Sequence, residues 1–290
     1  MPVLGFMLFL VWGFAPVAAL AAEPPPVSVR LGLLGAGEEV FDYEISVLKL
    51  ALRHSSRPAE LEVEVLSMPQ ERAFIELENG RASFNVFVSG FSADREARFG
   101  QIDVPLSRGL LGHRIFVTTE PNLKTLSTIQ TLDELREWAV VGSGEGWPDT
   151  TIFEAAGFQV EKAQYENLWT MTAHSRINLF NRGIHEAYVE IGIRKPIYEN
   201  LTVDPNLMVR YPFDYMFYVR QGDKELASLI EEGLLAAYES GAFMDHFYAH
   251  PMIRTVVEEA NPAGRRIFDI PNPLMTDRQR AIPDTFWHRF

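Results

Sequence analysis

The sequence predicts an α/β protein made of two doubly wound lobes. Segments with strand-like and helix-like patterns alternate along the first part of the chain, and the same alternation starts again near Thr131. The chain has 290 residues, which is too many for one small core and comfortable for two. Apolar residues make up 47% of it and aromatic residues 12%, so each lobe has enough apolar surface to bury a core.

Charge and cysteine content argue against several classes of function. The net charge of -13 disfavours binding to nucleic acid or anionic membranes, which need basic surfaces. The chain has 0 cysteines, which excludes disulfides, thiol catalysis and cysteine-based metal sites. His246 and His250 have the spacing of a helical metal pair but lack the acidic residue of a zinc-protease motif, so no metal and no cofactor are predicted.

Residues 1–22 predict a secretory signal peptide. They are apolar almost throughout and end in small residues around Ala21, ahead of the run Pro24-Pro25-Pro26. The segment carries no Lys or Arg, so an uncleaved anchor is the alternative. No other stretch approaches the roughly 20 apolar residues that span a bilayer, and an exported protein is expected.

The first lobe is predicted to begin with three strands separated by two helices. Tyr43 lies in the first turn of the first helix, where it either contacts a ligand or packs the helix against the sheet. The strands are expected at 27–34, 61–66 and 84–88, and the helices at 40–54 and 70–78.

The loop after the third strand carries a candidate binding residue. The strand ends at Gly90, and Ser92 and Arg95 follow at once. In a parallel sheet this loop would emerge at the edge where open α/β sheets place ligands. A guanidinium at that edge suits a bidentate carboxylate. The alternative is a surface arginine paired with Asp94 or Glu96.

This loop resembles that of the bilobed periplasmic solute-binding proteins of the amino-acid-binding class. In that family a strand ends in Gly, a Ser/Thr-x-x-Arg turn follows, and a short apolar segment ending in Pro comes soon after. Gly90, Ser92, Arg95 and the segment 102–105 match this pattern. The resemblance implies that Arg95 binds a ligand's α-carboxylate, assisted by Ser92 and the backbone of Gly90.

The second lobe is predicted to repeat the alternation of helices and strands. Thr131 and Glu134 form a capping box at the start of a helix that ends at Trp138. We expect a strand at 139–142, helices at 148–156 and 168–181, and a strand at 187–191.

The turn that precedes residue 148 also resembles the family, in which a Gly-rich turn leads into a helix N-terminus that closes onto the ligand. Trp147, Asp149 and Thr150 are the matching positions. Free N–H groups at a helix start suit an anion or a carbonyl oxygen. Trp147 either stacks on the ligand or packs the turn.

A further family pattern, Gly-Arg-x-Asp, supplies an acid that receives an α-ammonium group. Here the matching residues run from Ser175 to Asn178, and Asn178 cannot supply a negative charge. The resemblance therefore does not extend to amino-acid specificity. Arg182 and Glu186 lie just beyond, where they either take over polar recognition or are solvated loop charges.

The resemblance also implies a two-strand hinge, because the chain of the family crosses between its lobes twice. The crossings are expected at 109–119 and around Pro212. The first lobe would comprise 23–115 and 213–290, with the C-terminal tail wrapped on it, and the second lobe 116–212.

The function implied by the resemblance is that of a periplasmic monomer. It would capture a small polar, carboxylate-bearing ligand between its lobes and deliver it to an inner-membrane ABC permease. A ligand-sensing module of a signalling receptor is one alternative. An enzyme on the same scaffold, a dehydratase or a glycan-cleaving enzyme, is the other, with Glu38, Glu186 or Glu190 as acid or base.

Overall fold

Twelve strands and twelve α-helices form the regular secondary structure of the part of the chain that the structure describes. The computed structural model describes residues 25–34 and 37–288, so the predicted signal peptide lies outside the described residues. None of the described helices is long and apolar enough to cross a membrane. The elements are β1 (Val27–Leu34), α1 (Asp42–His54), β2 (Ala59–Leu66), α2 (Gln70–Glu78), β3 (Val86–Gly90), α3 (Ala93–Arg98), β4 (Phe99–Gln101), β5 (His113–Thr119), α4 (Glu120–Leu126), α5 (Leu132–Trp138), β6 (Val140–Gly144), α6 (Pro148–Ala155), β7 (Gln159–Ala163), α7 (Tyr165–Ala173), β8 (Leu179–Gly183), α8 (Ala187–Arg194), β9 (Leu201–Val203), β10 (Leu207–Arg210), β11 (Tyr215–Arg220), α9 (Lys224–Glu239), α10 (Ala242–Ala249), α11 (Pro251–Thr255), β12 (Arg266–Asp269) and α12 (Asp277–Arg280).

The first lobe is built on a five-stranded sheet in the order β2-β1-β3-β11-β4. β1 lies parallel to β2 and β3, and β11 lies antiparallel between β3 and β4. Val29, Leu31 and Leu33 alternate along β1 and are fully buried, as expected for a strand between two helical layers. The carboxyl ends of β1, β2 and β3 therefore share one edge.

The second lobe is built on a sheet in the order β12-β10-β5-β8-β6-β7, with β9 also paired to β5. β6 lies parallel to β7 and β8, so the carboxyl ends of these three strands also share one edge. The predicted capping box is present: the Thr131 hydroxyl accepts from the Glu134 N–H at 3.2 Å, and the Glu134 carboxylate accepts from the Thr131 N–H at 3.1 Å.

The chain crosses between the two sheets before β5 and again between β10 and β11, which confirms the two-strand hinge. The Asp214 carboxylate ties the crossings together, because it accepts from the N–H of Ser107 at 3.1 Å and of Gly109 at 2.5 Å. A Cβ at Gly112 would overlap the carbonyl oxygen of Tyr211 on the other crossing. The two segments can approach this closely only with glycine at that position.

One helix and one strand differ from the sequence prediction. The helix expected at 168–181 ends at Ala173, and β8 follows within the same range. Ser175 adopts a left-handed conformation with φ 55°, which stops the helix. The segment expected as a strand at 187–191 is instead the start of α8. Arg182 consequently lies on a central strand and not in a loop.

The C-terminal tail also differs from the prediction that places 213–290 wholly in the first lobe. β12 pairs in parallel with β10 and so extends the second sheet. The chain then returns to the first lobe, where the Arg278 guanidinium donates to the Asp103 carboxylate at 2.7 Å and to the Gln101 carbonyl at 2.9 Å. The tail is therefore a strap that connects both lobes.

Candidate functional site

A cavity of about 330 Å³ lies between the lobes, at the edge where the six parallel strands end. The first lobe contributes the ends of β1, β2 and β3, and the second lobe those of β6, β7 and β8. The cavity is lined by Leu34, Val40, Phe41, Leu66, Ser67, Met68, Pro69, Gln70, Val88, Gly144, Glu145, Trp147, Ala163, Gln164, Tyr165, Glu166, Arg182 and Tyr215. Both lobes are needed to complete it.

Aromatic rings form much of the cavity wall. Trp147 and Tyr165 lie together on the second lobe with ring centroids 6.3 Å apart, and Phe41 and Tyr215 face each other with centroids 6.4 Å apart. Rings arranged in this way offer flat apolar surfaces to a ligand.

Arg182 is the one cation among the residues that line the cavity. Its guanidinium carbon lies 5.3 Å from the centroid of the Trp147 ring and 5.6 Å from that of Tyr165. Nε and Nη2 donate to the Glu190 carboxylate at 2.7 and 2.5 Å, while Nη1 donates to none of the described residues. A cation with one unused donor nitrogen can hold an acceptor group of a ligand.

Glu186 and Glu190 share the charge of Arg182 behind the cavity wall. Glu186 lies 3.0 Å from Arg182 Nη2 and 3.6 Å from Arg114 Nη1, and it accepts from the Gly183 N–H at 2.8 Å. Burial opposes ionisation of Glu186, but Arg182, His185 and Arg114 outweigh it and hold its pKa at about 2. Burial raises the pKa of Glu190 to about 7, because Arg182 offsets this only in part and Glu186 adds to it.

Arg95 lies buried between the lobes and does not line the cavity. Nη1 donates to the Ser89 hydroxyl at 2.9 Å and to the Gly90 carbonyl at 2.7 Å. Nη2 donates to Gln70 Oε1 at 2.6 Å and to the carbonyl of Gly146, on the second lobe, at 3.0 Å. The alternative of a surface arginine paired with its chain neighbours is thus not what the structure shows.

The neighbouring predicted residues support this arrangement. Ser92 caps α3, since its hydroxyl accepts from the Arg95 N–H at 3.3 Å. Asp149 forms a buried ion pair with Arg114 and accepts from the hydroxyl of Tyr211. These side chains bond to the protein and do not line the cavity.

Thr150 and Tyr43 also lie outside the cavity lining. The Thr150 hydroxyl donates to the Gly144 carbonyl at 2.9 Å. The Tyr43 hydroxyl donates to the Leu106 carbonyl at 2.9 Å, and its ring lies 5.0 Å from that of His250. Of the nine predicted site residues, Trp147 and Arg182 line the cavity.

Asn178 lies at the opposite end of β8 from the cavity. Its side chain accepts from the Val140 N–H at 2.6 Å and so aligns the start of β8 with β6. Its identity therefore does not bear on ligand charge. The acidic candidate Glu38 is exposed and does not line the cavity.

The sequence analysis missed several cavity residues, among them Gln70, Gln164, Tyr165 and Tyr215. The first three lie within four residues of the carboxyl end of β2 or β7, where a ligand is expected, and this position was the available signal. Among the described residues no group of three or more His, Asp or Glu side chains is suited to hold a metal ion.

No protein-family model and no curated protein match the sequence. Solved structures match its shape. An ancestral arginine-binding protein bound to arginine has a TM-score of 0.54 at 16% identity, over 76% of this chain and 96% of that chain. An amino acid ABC transporter substrate-binding protein from Streptococcus pneumoniae bound to L-arginine has a TM-score of 0.55 at 13% identity, over 76% and 92%.

The fold is that of the bilobed type II solute-binding proteins. A histidine kinase sensor domain with similarity to periplasmic binding proteins matches it equally well, with a TM-score of 0.53 at 13% identity over 76% of this chain and 93% of that chain. The cavity between the two lobes of this fold is the candidate ligand site.

Proposed function

We propose that this protein captures a small polar solute bearing a carboxylate in the cavity between its lobes. The position of the cavity is the observation that carries the proposal. It opens at the carboxyl ends of three strands from each lobe, where α/β sheets bind ligands, and both lobes supply its wall. A ligand held there contacts both lobes at once and favours the arrangement in which they meet.

Arg182 is the residue we assign to the ligand carboxylate. It lines the cavity, its Nη1 donates to none of the described residues, and the Trp147 and Tyr165 rings hold its plane in place. Glu186 positions Arg182 from behind and does not line the cavity.

Arg95 remains a second candidate anchor. Its guanidinium bonds to Gln70, which does line the cavity, and to the Gly146 carbonyl at the cavity edge. A ligand carboxylate bound by Arg95 would take the place of one of these two acceptors. If Arg95 serves instead as a brace between the lobes, it contributes to the affinity for every ligand regardless of charge.

Export and delivery to an ABC permease complete the proposal. The apolar segment at 1–22 supports export, and one of the similar structures reported above is an amino acid ABC transporter substrate-binding protein. The similar sensor domain supports a second candidate, in which the bound solute controls a signalling receptor. We propose no catalysis, since neither Glu186 nor Glu190 lines the cavity.

The experiment that tests the function is a thermal-shift panel of amino acids, dicarboxylates, small peptides and sugars on the purified protein. A ligand at a hundred times its dissociation constant adds about 2.7 kcal/mol to the free energy of unfolding. We expect a carboxylate to raise the melting temperature and Arg182→Lys to weaken its binding about tenfold or more, because lysine keeps the charge but loses the planar fork.

Arg194→Lys is the matched control. Arg194 also lies over the Tyr165 ring, at 5.6 Å, but does not line the cavity, so its replacement should leave the affinity unchanged. Arg95→Ala in the same panel separates anchor from brace: an anchor loses affinity for carboxylates only, a brace for uncharged ligands as well. Stabilisation by no compound, or equal losses for the two lysine variants, would contradict the proposed site.

A further inference from the structure

Three carboxylates share two guanidinium groups behind the cavity. Asp149 and Glu186 contact Arg114, and Glu186 and Glu190 contact Arg182. Each of these five residues is exposed by 4% or less. Away from water a charge needs an opposite charge beside it, and here one carboxylate exceeds the number of cations.

Glu190 is the carboxyl that most readily holds a proton. Glu186 accepts from the Gly183 N–H and from the Tyr215 hydroxyl in addition to its two arginines, which stabilises its ionised form. Glu190 is fully buried and has Arg182 as its one cation. The titratable and charged groups that face it are Arg182 on β8, Glu186 at the start of α8 and Tyr165 on α7.

A ligand carboxylate on Arg182 adds another negative charge to this cluster. The two arginines would then face four carboxylates, and repulsion would act on the one that is held least firmly. If Glu190 binds a proton, Arg182 keeps one full charge for Glu186 and the ligand together. Ligand charge and the protonation of Glu190 are therefore linked through a single guanidinium group.

We propose that Glu190 is a positioning residue that lets the cavity accept an anion, by taking up one proton when a carboxylate with a flat apolar body binds to Arg182. The inference rests on the proposed function and names the class of its ligand. The flat body follows from the Trp147 and Tyr165 rings that flank Arg182 in the wall. The proton comes from solvent and returns to it when the ligand leaves.

The sign of the pH dependence follows from this linkage. Glu190 in the free protein loses its proton as the pH rises through about 7, so anion binding above that pH requires a proton to be taken up again. Affinity for the anion should be constant at low pH and fall by up to tenfold per pH unit above about 7. An uncharged ligand of the same shape should show no such decline.

The test is isothermal titration calorimetry with phenylacetate, a flat carboxylate, and with phenylacetamide, its uncharged analogue. Titrations in buffers of different ionisation enthalpy give the number of protons taken up. At pH 8 we expect phenylacetate to bind with uptake of nearly one proton. Glu190→Gln, which is neutral at every pH, should abolish the uptake and bind phenylacetate about tenfold more tightly at pH 8 than the unmodified protein does.

Glu161→Gln is the charge-matched control, because Glu161 is exposed on β7 and does not line the cavity. It should leave both the proton uptake and the pH profile unchanged. Binding of phenylacetate without proton uptake, or equal pH profiles for Glu190→Gln and Glu161→Gln, would overturn the role of Glu190. Failure of phenylacetate to bind, while another solute of the thermal-shift panel does, would overturn the ligand class and leave the proposed function standing.

Discussion

Glu186 and Glu190 stand one helical turn apart on the same segment, yet their pKa values move in opposite directions. Both are buried, so burial alone does not separate them. What differs is the number of groups that favour the ionised form. Glu186 receives the Gly183 N–H, the Tyr215 hydroxyl and two cations, while Glu190 receives one arginine.

Tyr215→Phe tests the contribution of the hydroxyl group to this difference. The Tyr215 hydroxyl donates to the charged Glu186 carboxylate at 3.1 Å. We expect its removal to lower the free energy of unfolding by about 1.5–3 kcal/mol, as for other hydrogen bonds to charged groups. Urea denaturation at pH 7 measures the change.

Tyr218→Phe is the control, since the Tyr218 hydroxyl is buried and donates to the neutral amide oxygen of Gln101 at 2.9 Å. Its cost should be about 0.5–1.5 kcal/mol. A Tyr218 variant that loses as much stability as the Tyr215 variant would show that the charge of Glu186 adds nothing to its bond.

The sequence predicts only part of the candidate site. The sequence predicts that Arg182 and Glu186 are candidate polar residues beyond Asn178. It does not predict that Arg182 lines the cavity while Glu186 lies behind it, because that difference depends on contacts made only in the folded protein. Arg95 was identified from the strand that precedes it, and its four protein acceptors come from three distant segments that only the fold brings together.

At the scale of secondary structure, the strap formed by the C-terminal tail links the edges of the two sheets. β12 extends the second sheet, and α12 binds the first lobe through Arg278 and through the Thr276 hydroxyl, which donates to Glu96 at 2.6 Å. The sequence predicts a tail wrapped on the first lobe alone, because a four-residue strand is too short to predict from its own pattern.

Arg278→Ala should loosen the strap. Arg278 makes one ion pair and one hydrogen bond to the first lobe, and its side chain is 41% exposed, so we expect a loss of about 1 kcal/mol or less in global stability. The local effect should be larger, with faster amide hydrogen exchange in residues 270–288.

Arg280→Ala is the matched control on the same helix, because among the described residues Arg280 forms an ion pair only with Asp277, three residues away. It should leave exchange in the tail unchanged. Equal exchange in the two variants would show that the contact between Arg278 and Asp103 does not hold the strap in place.

The boundary between α7 and β8 shows why apolar spacing alone misassigns some elements. Leu168 and Leu179 are both fully buried, and their separation of about three helical turns places them on one face of a helix. The break comes from the left-handed backbone at Ser175, a conformation uncommon for any residue other than glycine. The stretch 168–181 contains no glycine or proline that would predict the end of the helix.

At the scale of the whole molecule, the contact between the lobes buries polar atoms that lack a hydrogen-bond partner among the described residues. His185 on the second lobe and Glu44 on α1 of the first are almost completely buried, with His185 Nε2 3.9 Å from Glu44 Oε1. Neither ring nitrogen of His185 nor Glu44 Oε2 has a hydrogen-bond partner among the described residues. Bringing the lobes together therefore costs about 1–3 kcal/mol for each such group.

Replacing both residues by apolar ones should favour the closed arrangement without a ligand. For the double variant Glu44→Met with His185→Leu, we expect the radius of gyration of the ligand-free protein to fall toward that of the ligand-bound form. Small-angle X-ray scattering with and without a stabilising solute measures it.

The single variant Glu44→Met serves as the control, because it leaves His185 buried without its neighbour and should not favour closure. A double variant whose radius of gyration still drops on ligand addition as much as that of the unmodified protein would mean that these groups do not oppose closure.

The Trp147 indole in the cavity wall also makes the molecule a natural optical reporter. An occupant of the cavity changes the polarity and the quenching around this ring, which already lies 5.3 Å from the Arg182 guanidinium carbon. The chain contains 0 cysteines, so one cysteine introduced on each lobe can carry a dye without any background labelling. Binding of the proposed solute in this cavity can then be followed as a change in fluorescence, and the protein becomes a starting scaffold for a fluorescent sensor.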